Sequence, residues 1–124
     1  MGAKKRVLVV DDEPGVLRFI NVGLSLAGYE VITSSSGEEA LKLVNSATPD
    51  IILLDLIMVP LSGFEVLEKL REFSQVPVIM FTARSDLSAQ ALKAGANGFI
   101  SKPLRLEQLV QKIEEFLGKQ ETPA

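Results

Sequence analysis

At 124 residues, with 47% apolar and 23% charged residues, the chain is expected to form one globular domain with a sizeable core, and a largely disordered chain is excluded. Thirteen Lys/Arg against sixteen Asp/Glu leave a net charge of −3, which argues against a nucleic-acid-binding surface. The lack of cysteine removes disulfides, thiolate chemistry and cysteine-ligated zinc, and the lack of histidine removes any imidazole base or ligand, so a metal site would use oxygen donors and suit Mg²⁺.

The N-terminus runs directly into an apolar strand at Val7-Leu8-Val9-Val10, with no signal-peptide apolar region. Arg6 occupies the Ser/Thr position of a myristoylation motif, so Gly2 is not expected to be lipidated. The strand ends in Asp11-Asp12. A helix follows, capped by Asp12 or Glu13, with Pro14 in its first turn and an expected core stripe of Val16, Phe19, Ile20, Gly23, Leu24 and Ala27. Leu17, Val22 and Leu26 fall off that stripe and are candidates for a partner-docking surface; Gly28 suits the C-terminal cap. An edge strand is expected over 29–33, and Ser36 to Glu39 fits a capping box opening a helix through Leu41 and Val44.

Asp50-Ile51-Ile52-Leu53-Leu54-Asp55 reads as a short strand buried on both faces, hence the middle of a parallel sheet. Asp55 also interrupts the longest apolar run, so no membrane span is expected and the chain is read as soluble and cytoplasmic. Ser62 to Glu65 fits a second capping box, with Val66, Leu67 and Leu70 on the buried face. A fourth strand is expected over 76–81, ending in Thr82, then an alanine-rich helix over 85–94 closed by Gly95. Gly98-Phe99-Ile100 is the fifth strand and leads into Ser101-Lys102-Pro103. The last helix carries Leu106, Leu109, Val110, Ile113, Phe116 and Leu117 on one stripe, before a polar tail over 119–124.

Five strands alternating with five helices predict a parallel α/β sheet covered on both faces, with the site outside the carboxyl ends of the strands. Asp11 and Asp12, Asp55, Thr82 and Lys102 leave four different strands at that edge. Three neighbouring carboxylates repel one another, and a divalent cation relieves the repulsion. Asp55 is then read as a carboxylate nucleophile that accepts a phosphoryl group, with Lys102 pairing with one phosphoryl oxygen and the Thr82 hydroxyl donating to another. Taken singly each feature has a plainer reading: a helix cap for Asp11-Asp12, a solvated strand end for Asp55, an ordinary strand end for Thr82, a helix-starting proline after Lys102 and plain core for Phe99. Their joint placement at the ends of one sheet favours the chemical reading.

The set Asp11-Asp12, Asp55, Thr82-Ala83 and Lys102-Pro103 resembles the receiver domain of bacterial response regulators, and the likeness covers residues 5–118. That resemblance implies a doubly wound, flavodoxin-like sheet of order 2-1-3-4-5 in a single domain over 1–124. It implies Asp55 as phosphoacceptor, Asp12 as a direct Mg²⁺ ligand, Asp11 as a ligand largely through water, and the backbone carbonyl of Ile57 as a further contact. It also implies Lys102 as the phosphate-binding lysine with a cis bond to Pro103, Thr82 as the switch hydroxyl and Phe99 as the aromatic that turns inward. Ile57 and Arg84 fall at positions flanking the phosphoryl group, and neither carries an obvious base, so slow self-hydrolysis is expected. The chain departs from the family pattern at Val59, Pro60 and Ser62, which predicts a distinct loop after Asp55. The segment 82–95 is shorter than usual, which trims the fourth helix or its leading loop and bears against dimerisation through that face. Phe99 in place of the common tyrosine removes a hydroxyl.

The function so implied is a phosphorylation-operated switch rather than an enzyme acting on other substrates, with the alternative of a phosphorylation-independent scaffold. The phosphoryl donor would be a partner histidine kinase, a phosphotransfer protein or a small acyl phosphate, and the effector is unspecified. No direct nucleic-acid or membrane contact is expected, and the tail is too short to be an effector. A phosphatase of the haloacid-dehalogenase type would need Asp-x-Asp-x-Thr where the chain has Asp55-Leu56-Ile57-Met58-Val59, and no nucleotide-binding glycine motif follows the first strand.

Overall fold

The computed structural model describes residues 4–119; Gly2 and nearly all of the expected tail lie outside the described residues. Five strands, β1 (Arg6–Val10), β2 (Glu30–Ser34), β3 (Ile51–Asp55), β4 (Val78–Thr82) and β5 (Gly98–Ser101), form one parallel sheet of order β2-β1-β3-β4-β5. The connecting helices are α1 (Pro14–Leu26), α2 (Gly37–Ala47), α3 (Gly63–Arg71), α4 (Ser88–Lys93) and α5 (Leu106–Leu117). The fold is therefore the flavodoxin-like α/β arrangement, with the strand order reversing between β1 and β3.

Alternate residues of each central strand face opposite layers, which is why β1, β3 and β4 are apolar at nearly every position. Val7, Val9, Ile51, Leu53, Ile79 and Phe81 pack with Ile20 and Leu24 of α1 and Leu109 and Ile113 of α5. Leu8, Val10, Ile52, Leu54, Val78 and Met80 pack with Ala40 and Val44 of α2, Val66, Leu67 and Leu70 of α3, and Ala91 of α4. Each fully buried aliphatic side chain contributes about 1.5–3 kcal/mol, so two such layers anchor the strands and hold their ends in fixed positions.

Several elements differ from their expected form. In α1 the buried stripe centres on Ile20, and Phe19 is half exposed at 50% while Leu17 packs against the core. At about 100° per residue Phe19 sits beyond the stripe's edge, whereas Leu17 lies within 60° or so of Ile20. Val22 and Leu26 are exposed. At Gly23, where α1 meets α5, a Cβ would lie 2.5 Å from the Leu106 side chain, which would have to turn aside. β4 starts at Val78 because Pro77 has no N–H for the ladder; its carbonyl accepts from Ile52 N at 2.9 Å.

The Ser62 capping box is complete, with Ser62 Oγ accepting from Glu65 N at 3.2 Å and Glu65 Oε1 from Ser62 N at 3.1 Å. At α2 only half of the box forms. Ser36 Oγ accepts from Glu39 N at 3.2 Å, but the Glu39 carboxylate takes the buried Ser34 hydroxyl, at 2.7 Å, instead of Ser36 N. The helix expected over 85–94 is a 3₁₀ turn (Ser85–Leu87) followed by the short α4. Lys102-Pro103 is cis, as the resemblance implies, and Val59-Pro60 is cis as well.

Candidate functional site

Asp11 follows the last residue of β1 and is fully buried; its backbone N–H donates to Ser34 O at 3.1 Å, across from β2. Its Oδ1 accepts from Glu13 N at 2.8 Å, which begins α1 without any side-chain cap from Glu13 itself. Asp12 next to it is exposed. Asp55 closes β3 at 2% exposure and its Oδ1 accepts from Ile57 N at 3.3 Å. Gly63 lets α3 start hard against this strand end, because a Cβ there would collide with the Asp55 carbonyl oxygen and lie 2.8 Å from Leu56 Cα. The N–H of Gly63 donates to Leu56 O at 2.9 Å.

Asp11, Asp12 and Asp55 each present a carboxylate oxygen, and these oxygens lie within 4.8 Å of one another. Into this group reaches Lys102, from beyond β5, held by its backbone N–H on Thr82 O at 2.8 Å. Its Nζ stands 3.3 Å from Asp11 Oδ2, 3.6 Å from Glu13 Oε1 and 3.8 Å from Asp55 Oδ2, and 5.3 Å from the centre of the Phe81 ring. One ammonium therefore faces three carboxylates.

The electrostatics follow from burial and crowding. Burial and then the Asp11 charge push Asp55 up to about 7, against the opposing pull of Lys102 and the Ile57 N–H. Asp11 is raised too, chiefly by burial, with the Glu13 N–H bond and Lys102 working the other way. Burial disfavours the charge on Lys102, but Asp55, Asp11 and Glu13 together outweigh it, and its net shift is upward. A cluster of oxygens with too little positive charge suits a hard divalent cation, which would lower the cost of ionising Asp55.

The remaining expected residues lie around this centre. Thr82 closes β4 at 2% exposure, and its Oγ1 accepts from Arg84 N at 3.3 Å. Phe99 pairs with Met80 across β4 and β5 and is half-buried against the core layer under α2 to α4. Ile57 and Arg84 are exposed at the rim. Two neighbours escape sequence reasoning. Glu13 reads as a helix cap but stands beside Lys102, and Phe81 reads as core but lies under the ammonium; the Glu13-Pro14 helix start is the one signal that could have pointed to the first.

The sequence profile described as "Response regulator receiver domain" matches residues 7–114. The chain is 38% identical over 97% of its length to the "Probable transcriptional regulator ycf27" of Cyanophora paradoxa and 41% identical over 86% to the "Transcriptional regulatory protein KdpE" of Mycobacterium tuberculosis. It spans about half the length of these relatives, 51% and 48%. Among solved structures, the Vibrio cholerae chemotaxis protein CheY4 superposes with a TM-score of 0.86 at 32% identity, covering 92% of this chain and 99% of that one.

Proposed function

The chain belongs to the response regulator receiver family of two-component signalling, and from that premise we propose that Asp55 is its phosphoacceptor. The observation that supports this most is the convergence of Lys102 Nζ on Asp11, Glu13 and Asp55 within 3.8 Å at one sheet edge. A carboxylate oxygen of Asp55 attacks the phosphorus of a partner's phosphohistidine or of a small acyl phosphate. The new O–P bond forms as the bond to the donor's nitrogen or oxygen breaks, and the electron pair leaves with the donor. Mg²⁺ held by Asp11, Asp12, Asp55 and the Ile57 carbonyl would neutralise charge on the transferring group. Lys102 exchanges its carboxylate contacts for a phosphoryl oxygen, and the Thr82 hydroxyl donates to another.

In this reading the added charge draws Thr82 and its loop toward the phosphoryl group, Phe99 moves further inward, and the surface around β4 and β5 changes shape. Ile57 and Arg84 set how long the acyl phosphate lasts; with no base at either position, its half-life is long. The domain (residues 1–124, core 5–118) is thus a switch that catalyses its own phosphorylation and slow dephosphorylation, working in the cytoplasm between a histidine kinase or phosphotransfer protein and an effector. Among the described residues no helix is long and apolar enough to cross a membrane. The acidic balance of the chain favours a protein partner for this domain over nucleic acid.

The test is incubation with acetyl phosphate and Mg²⁺, read by intact mass. One phosphate adds to the wild type and none to Asp55→Asn, and omission of Mg²⁺ suppresses the addition. Labelling that survives Asp55→Asn would refute the assignment, and a half-life of seconds would refute the slow hydrolysis.

A further inference from the structure

In the loop between β4 and α4, Asp86 grips Arg84 by two parallel bonds, Nε to Oδ1 at 3.0 Å and Nη2 to Oδ2 at 2.8 Å. Both side chains are more than half exposed, at 60% and 63%. An ion pair so solvated adds little to stability, but two-point contact fixes where a guanidinium points. The backbone of the same residue is tied to the site, since Arg84 N donates to Thr82 Oγ1 at 3.3 Å. Two further bonds, Ser85 N to Ala83 O at 3.2 Å and Leu87 N to Arg84 O at 3.1 Å, close the turn. Leu87 in turn packs against the core layer that Phe99 also covers. One short turn therefore links the Thr82 hydroxyl, a cation, its counter-ion and the layer under Phe99.

A carboxylate and a phosphoryl group offer a guanidinium the same pair of oxygens, and the phosphoryl group carries nearly twice the charge. We propose that Asp86 is a positioning residue: it holds the Arg84 guanidinium on its own carboxylate and competes for it with an arriving phosphoryl group. This rests on the reading of Asp55 as phosphoacceptor. On phosphorylation the Arg84–Asp86 contact opens, Arg84 turns to the phosphoryl oxygens, and the turn is released together with Thr82. The weakness of an exposed pair makes it suitable for this, since it opposes the exchange by no more than about fivefold.

The experiment measures the initial rate of phosphate uptake from acetyl phosphate with Mg²⁺, and the half-life after the donor is removed. The proteins are the wild type, Asp86→Ala, Asp86→Asn, Arg84→Ala and the double variant Arg84→Ala/Asp86→Ala. Both Asp86 variants take up phosphate about three- to fivefold faster and keep it longer, Arg84→Ala is slower and loses it sooner, and the double variant behaves as Arg84→Ala alone. Equal effects of Asp86→Ala with and without Arg84, or no effect at all in a wild type that labels normally, would overturn this inference and leave the Asp55 assignment standing. A wild type that takes up no phosphate overturns both.

Discussion

Asp55→Asn serves as a probe of stability as well as of chemistry. The structure buries the Asp55 carboxyl beside Asp11, and its pKa stands raised from 3.8 to about 7. A group whose folded pKa is raised lends stability that is fully present below the unfolded value and is lost as pH rises through the folded one. In metal-free buffer the wild type should therefore weaken relative to Asp55→Asn from about pH 4 upward, with the difference levelling off above pH 7. The rise in pKa corresponds to a ceiling of roughly 4 kcal/mol. Because Asp55 and Asp11 titrate as a coupled pair, the part expressed by Asp55→Asn is smaller, about 2 kcal/mol, or about 8 °C in Tm for a domain of this size. Urea or thermal melts of both proteins in EDTA, from pH 4.5 to 8.5, measure it. Added Mg²⁺ should then stabilise the wild type by about 1.4 kcal/mol per tenfold increase above its Kd, and Asp55→Asn only at higher concentration. A stability difference that is flat with pH, or a metal-free wild type firmer than Asp55→Asn at pH 8, would refute this electrostatic account.

Gly63→Ala forces a methyl group against the Asp55 carbonyl oxygen and Leu56 Cα, backbone atoms that cannot turn aside as the nearby Met80 methyl can. A loss of about 2–3 kcal/mol in urea melts, with slowed phosphate uptake, is expected; unchanged stability would mean that α3 is not held against β3 as described. Arg71 donates to Gly95 O, Ser74 O, Val76 O and Asn97 Oδ1 at 2.8–3.3 Å, while Asn97 Oδ1 accepts from Val78 N at 2.9 Å. Arg71→Met strands these acceptors and should cost about 2–3 kcal/mol, with faster amide exchange at the start of β4 and β5; an equally protected β4 would count against the clamp.

The candidate site was legible because its residues sit where apolar runs stop. Val7 to Val10, Ile51 to Leu54 and Val78 to Phe81 can only be central strands, and Asp11, Asp55 and Thr82 are the first polar residues after each. A parallel sheet then brings those ends to one edge without further information. What stayed hidden depends on packing across elements. Phe19 and Leu17 exchange their expected roles because the α1 stripe is centred by its contact with α5, at Gly23 and Leu106, which no local pattern states. Glu39 leaves its capping box for a buried serine at the end of β2, five positions earlier. Gly63 reads as a helix start, and only the nearness of β3 shows why a side chain is barred there.

On the proposed function, the charge arrangement would place stability and switching in the same atoms. Lys102 is shared among three carboxylates, so no single contact is short: 3.3, 3.6 and 3.8 Å. A tight one-to-one pair would satisfy the lysine and leave it little reason to move. Sharing it leaves Asp55 under-compensated and keeps the ammonium free to follow whichever oxygens carry more charge. The β-sheet tolerates this strain because its ends are fixed from behind by two packed layers. The β4–α4 side has only a 3₁₀ turn and a six-residue helix to hold it. Added charge at Asp55 is thus expected to be expressed there, where only short elements resist it, and amide exchange that rises elsewhere while 83–93 stays unchanged would contradict that expectation.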